Sequence, residues 1–108
     1  MANKNLSSFE ILEKLISFPT ISRTPNIELI NWVANLLNSY GVKSTILQNQ
    51  DGSRANLFAT VGNPDIGGIM LSGHTDVVPT EGQDWQTDPF KLTECSGKLF
   101  GRGTADMK

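Results

Sequence analysis

Apolar residues fall at helical spacing as far as Gly41 and at strand spacing after it, and this change of period limits what the chain can fold into. Ser7 opens a Ser-x-x-Glu capping box with Glu10. Phe9, Leu12, Leu15 and Ile16 then make one apolar stripe, and Pro19 stops the helix because it lacks the N–H to continue it. Thr24 and Pro25 read as an N-cap and first helical position. Ile27, Ile30, Val33, Leu36 and Leu37 form a second stripe. Gly41 is placed as the C-cap glycine, where a left-handed backbone costs little.

Strands are predicted beyond Gly41. Residues 42–47 and 55–61 flank a turn at Gln50-Asp51-Gly52. Residues 68–72, Gly-Ile-Met-Leu-Ser, are a short apolar run that reads as a strand buried on both faces. A polar loop runs from Pro79 to about Asp88. A hairpin is predicted from residues 90–93 and 98–100 across Glu94-Cys95-Ser96-Gly97. Two helices followed by strands predict an α/β fold, with a partial mixed β-sheet and a hairpin.

Composition narrows the function. A net charge of −2 with 19% charged residues argues against a nucleic-acid partner, which needs a basic stripe. No apolar run approaches a membrane span, and the N-terminus has no signal-peptide core, so no membrane partner is expected. One cysteine, Cys95, excludes an internal disulfide framework; a reducing, cytoplasmic setting is expected, with Cys95 a plain exposed thiol.

The chemistry lies between Leu71 and Lys108. An apolar run ends in Gly73-His74-Thr75-Asp76, and ligands gather beyond the carboxyl ends of strands in open α/β sheets. Residues i and i+2 of an extended backbone point the same way, so Asp76 can reach the same ion or ring as His74. A histidine at a strand end is more often an ordinary hydrogen-bonded residue. As the sole histidine, His74 cannot build a mononuclear three-ligand zinc site. Further on, Gly101-Arg102-Gly103-Thr104-Ala105-Asp106 follows the hairpin. A glycine-rich turn ending in aspartate is, by itself, as readily a helix start as a ligand site. It lacks the third glycine of a phosphate-binding loop. Trp85 and Phe90 read as anchors of the long loop, Trp32 and Tyr40 as packing residues, and Arg102 as either a salt-bridge partner or a group near the site.

Taken in order, Gly73-His74-Thr75-Asp76-Val77-Val78-Pro79, Asp84-Trp85-Gln86-Thr87-Asp88-Pro89-Phe90 and Leu99-Phe100-Gly101-Arg102-Gly103-Thr104-Ala105-Asp106-Met107-Lys108 resemble the signature of the M20 metallopeptidase and deacylase family. The resemblance implies a zinc-peptidase-like catalytic domain, of which residues 1–108 would be the N-terminal portion. It implies two zinc ions, with cobalt a possible substitute. His74 would bind one ion, Asp106 would bridge both, and Asp76 would serve catalysis by accepting the other ring N–H of His74. A shared carboxylate offsets the repulsion of two ions about 3.5–4 Å apart. A cis peptide without proline at Asp106-Met107 is implied for the complete enzyme; in 108 residues alone it is expected to be trans or disordered.

The implied function is metal-dependent hydrolysis of a small N-acyl amino acid: removal of the acetyl group of N2-acetyl-L-ornithine, in arginine biosynthesis. N-succinyl-diaminopimelate and dipeptides are the alternative substrates, and a non-catalytic interaction module is the alternative class. The family's general-base glutamate, its further ligands and its dimerisation domain would lie beyond Lys108. The 108 residues are therefore expected to be inactive alone, to need no bound metal, and to self-associate through open strand edges, whereas the full-length protein would be a homodimer.

Overall fold

The structure is a computed structural model and describes residues 5–108. The described chain divides into two compact units, one of residues 5–24 with 73–108 and one of residues 25–72. Each is described separately.

In the first unit, α1 spans Ser8–Ser17. Its start is the capping box read from the sequence: Ser7 Oγ accepts from Glu10 N at 3.2 Å, and Glu10 Oε2 accepts from Ser7 N at 2.8 Å. Ile16 is fully buried, and Phe18 caps the helix in extended conformation just before Pro19. The chain then runs beside residues 75–77. Ile21 and Val77 form an isolated parallel bridge, Val77 N donates to Thr20 O, and Ser22 N donates to Val77 O.

The same unit carries a hairpin of Thr93–Cys95 and Lys98–Phe100, with Thr93 opposite Phe100. Its two turn residues, Ser96 and Gly97, have φ of 51° and 74°. Positive φ at both positions is the turn whose twist matches that of the strands. The hairpin is tighter than the sequence reading: residues 90–92 are outside the strand, and Glu94 and Cys95 are in it.

In the second unit, α2 spans Ile27–Ser39 and packs on a two-stranded antiparallel hairpin, β1 (Ser44–Gln48) and β2 (Ala55–Ala59). We number the first unit's strands β3 and β4. Ile46 pairs with Leu57 and Ser44 with Ala59. Burial alternates along both strands, with Ser44, Ile46, Ala55, Leu57 and Ala59 on the covered face. That is the pattern of a sheet covered on one side. Helix α2 ends as Gly41 foretold. Gly41 has φ of 76°, its N–H reaches Asn38 O, and Val42 N–H reaches Leu37 O. These two bonds satisfy carbonyls that the helix would otherwise leave open.

Helix α2 does not start where Thr24 and Pro25 placed it. Asn26 occupies the cap position without making a side-chain cap bond. Its amide is committed to β2 instead, donating to Ala55 O at 3.1 Å and accepting from Ala55 N at 2.8 Å. Thr24 Oγ1 is bound to Ile21 O. A tertiary tether has therefore displaced a local capping signal.

The α/β expectation holds, as two helices with two separate antiparallel strand pairs. Residues 68–72, read as a buried strand, form no strand: Ile69 and Leu71 are 92% and 93% exposed. An apolar run becomes a buried strand only where neighbours accept its backbone bonds and cover its side chains. Among the described residues, no helix is long and apolar enough to cross a membrane.

Candidate metal centre

The site lies within the first unit. Segment 73–77 is held from below by the chain after α1. Thr20, itself buried, donates its hydroxyl to Thr75 O, and Ser22 Oγ donates to Asp76 Oδ2 at 2.7 Å. Together with the Ile21–Val77 bridge, these bonds fix the direction of the backbone that presents His74 and Asp76.

The second half of the site is shaped by close glycine contacts. A Cβ on Gly101 would lie 2.9 Å from Ile16 Cγ2, so glycine lets the turn settle against α1. Gly103 has φ of 105°, and a Cβ there would lie 3.1 Å from the Lys108 side chain and 3.2 Å from Val77 Cγ1. Thr104 N and Oγ1 both bond Gly101 O, and Lys108 N bonds Gly103 O at 2.8 Å. Lys108 Nζ donates to Phe18 O. Half-burial pushes this ammonium's pKa down to about 8.

The result brings residues 74 and 106, 32 positions apart, together. His74 Nε2 lies 3.0 Å from Asp106 Oδ1. His74 Nδ1 lies 3.0 Å from both Asp76 Oδ1 and Asp76 O. The imidazole is thus clamped at both nitrogens. Its pKa is raised above the usual 6.5, first by the Asp76 backbone carbonyl and then by the neighbouring carboxylates, against a desolvation effect that lowers it. The Asp76 carboxyl is held below its usual range, first by the Ser22 hydroxyl and also by His74.

The donor set suits a borderline metal such as zinc. Imidazole nitrogen and carboxylate oxygen, each about 2.0–2.2 Å from one tetrahedral ion, stand about 3.3–3.6 Å apart, so Nε2 and Oδ1, hydrogen-bonded at 3.0 Å, need separate by only a few tenths of an ångström to share one. Asp106 is 82% exposed on its side chain, which leaves its other oxygen accessible. Among the described residues no group of three or more His, Cys, Asp or Glu side chains is arranged to hold an ion. The fit is therefore that of a partial ligand set.

These side chains line a cavity of about 450 Å³, along with Val77, Val78, Trp85, Leu99 and the turn 100–105. Sequence reading singled out residues 74, 76 and 106 but missed Thr20 and Ser22. Nothing in Pro19-Thr20-Ile21-Ser22 signals a function; a Ser/Thr pair two residues apart after a helix stop is the only hint. The Asp106-Met107 peptide, expected to be trans or disordered in 108 residues, is cis. The segment that carries it is tied down by the Lys108 bonds to Gly103 and Phe18, both within this chain.

Residues 70–108 match the family model of peptidase family M20/M25/M40. The chain is 45% identical to acetylornithine deacetylase of Pasteurella multocida (strain Pm70) over 114 aligned residues, covering 97% of this chain and 29% of the relative. It is 44% identical to acetylornithine deacetylase of Proteus mirabilis (strain HI4320), covering 98% and 29%. It is 41% identical to acetylornithine deacetylase of Shigella sonnei (strain Ss046), covering 100% and 30%. The chain therefore spans less than a third of the length of these relatives. Among solved structures, that of human carnosine dipeptidase 1 superposes with a TM-score of 0.75 at 27% identity, over 91% of this chain and 24% of that one. His74, Asp76 and Asp106 all fall in residues 70–108, the stretch that is similar to peptidase family M20/M25/M40.

Proposed function

We propose that residues 1–108 are the N-terminal portion of the catalytic domain of a cytoplasmic, dinuclear zinc amide hydrolase that converts N2-acetyl-L-ornithine to L-ornithine and acetate, a step of arginine biosynthesis. The observation that carries this reading is the 3.0 Å approach of His74 Nε2 to Asp106 Oδ1, with Asp76 on the opposite ring nitrogen. The deacetylase names of three relatives at 41–45% identity support the substrate.

His74 would hold one ion through Nε2. Asp76 accepts the proton on Nδ1, which fixes the tautomer, orients the ring and makes Nε2 the better donor. Ser22 in turn fixes Asp76. Asp106 would help hold the ions, and its negative charge would offset their mutual repulsion. The zinc ions, when bound, supply a Lewis acid for the amide carbonyl and a water acidic enough to ionise near neutrality. Trp85, Leu99 and Val78 contribute apolar surface to the cavity.

Two ligands fall short of the four or so that each zinc takes, so 108 residues alone would hydrolyse nothing at a useful rate. The full-length protein would be a homodimer, and the 108 residues alone would self-associate. A second substrate reading, a dipeptide, draws support from the carnosine dipeptidase likeness. The test is acetate release from N2-acetyl-L-ornithine by the zinc-loaded full-length protein, beside N-succinyl-diaminopimelate and a dipeptide. Faster turnover of either competitor would replace the substrate. Activity untouched by a chelator, or retained in His74→Ala, would remove the metal mechanism.

A further inference from the structure

Arg102 lies in the site turn, and its side chain is engaged by the polar loop. Its Nη2 donates to Pro79 O at 3.2 Å, across 23 residues. The guanidinium carbon sits 5.1 Å from the centre of the Trp85 ring. Its Nε is buried and meets no acceptor among the described residues. The backbone beneath it is pinned as well, since Arg102 N donates to Pro89 O at 2.7 Å. One side chain therefore grips the polar loop at its first residue and at its tryptophan. That loop has few other ties: Gln83 N to Thr80 O, Trp85 N to Gln83 O, and the Trp85 indole to Gln83 Oε1 are all local.

Trp85 and Arg102 both line the cavity that holds His74 and Asp106. We propose that Arg102 is a positioning residue: it holds Trp85 in place as the aromatic wall of this cavity, and so sets the width available to the part of an amide substrate beside the reacting bond. A guanidinium suits this task because it stacks on an aromatic face and donates in its own plane at the same time. An ammonium can do one well and the other only in part. The inference rests on the reading of this cavity as the reacting site. That reading is tested by substrate turnover and His74→Ala, whereas this one is tested at Trp85, so either can fail alone.

The chain has two tryptophans, and Trp32, in α2, serves as an internal control. The experiment is heteronuclear NOE measurement on the two indole N–H signals of the 15N-labelled chain, with Trp85→Phe used to assign them. In Arg102→Ala the Trp85 indole is expected to lose order, and its acrylamide-quenchable fraction to rise by roughly twofold or more, the size that a lost cation–π contact allows. The Trp32 signal is expected to stay unchanged. Arg102→Lys should restore part of the order, and it carries the test if the alanine variant does not fold. Equal order at Trp85 in parent and variants would overturn the proposal. So would parallel loosening of both tryptophans, which marks a general structural role.

Discussion

Residues 68–72 and 74–78 are near neighbours in sequence and opposite in character. The first is the more apolar, yet Ile69, Met70 and Leu71 are 78–93% exposed and form no strand. The second begins His-Thr-Asp, yet it is bridged to Ile21, bound through Thr20 and Ser22, and contains the buried Val77. Hydrophobicity alone did not create a strand in the first case, and polarity did not prevent order in the second. Available partners decided both. The candidate site is built in the segment whose backbone and polar groups are held from outside, which is what fixed donor geometry requires.

This contrast can be broken by substitution, and the largest effect is expected beneath the ordered segment. Ile16 is fully buried and lies against Gly101. Ile16→Ala removes that contact and leaves a void, and is expected to lower stability by about 2–4 kcal/mol in urea unfolding. A loss under about 1 kcal/mol would mean that the turn bearing Asp106 does not depend on α1.

A smaller effect concerns protons. The pKa of His74 is raised in the folded chain, so the stabilisation from its contacts is fully present below the unfolded value of 6.5 and is lost as pH rises through the folded value. As the only histidine, it gives an unambiguous NMR titration. The midpoint is expected above 6.5 in the metal-free chain, and Asp76→Asn should move it only part of the way back, because the backbone carbonyl of residue 76 remains. A midpoint at or below 6.5 would show that the clamp at Nδ1 is not formed.

The smallest effect is expected in the apolar run. Ile69→Asn should change the stability of the 108-residue chain by less than about 0.5 kcal/mol, as for a surface substitution. A loss of 2 kcal/mol or more would show that the run is packed after all, and would erase the contrast. The same variant followed by light scattering measures whether this run drives self-association: a fall in apparent mass is expected.

Features with a local cause were legible in the sequence. Ser7 and Glu10 specify a helix start by their spacing alone, Gly41 specifies a helix end by its backbone freedom, and Ser96-Gly97 allows a tight hairpin. Features whose cause lies far along the chain were not. Asn26 gives up its cap role to hold Ala55, and Ser22 acquires its importance only from Asp76, 54 positions away. The pairing of residues 74 and 106 came from motif order. The residues that enforce it, Thr20, Ser22, Gly101 and Gly103, have no periodic signature that a single sequence could display.

The central claim is that the imidazole of residue 74 and the carboxylate of residue 106 share a divalent ion. Zinc titration of the full-length protein, followed by the side-chain 15N resonances of His74, tests it most directly. The account predicts that zinc perturbs Nε2 while Nδ1 keeps its proton toward Asp76, and that Asp106→Asn weakens the uptake at least tenfold, as loss of an anionic ligand should. Perturbation at Nδ1 instead, or equal uptake by parent and Asp106→Asn, would contradict it.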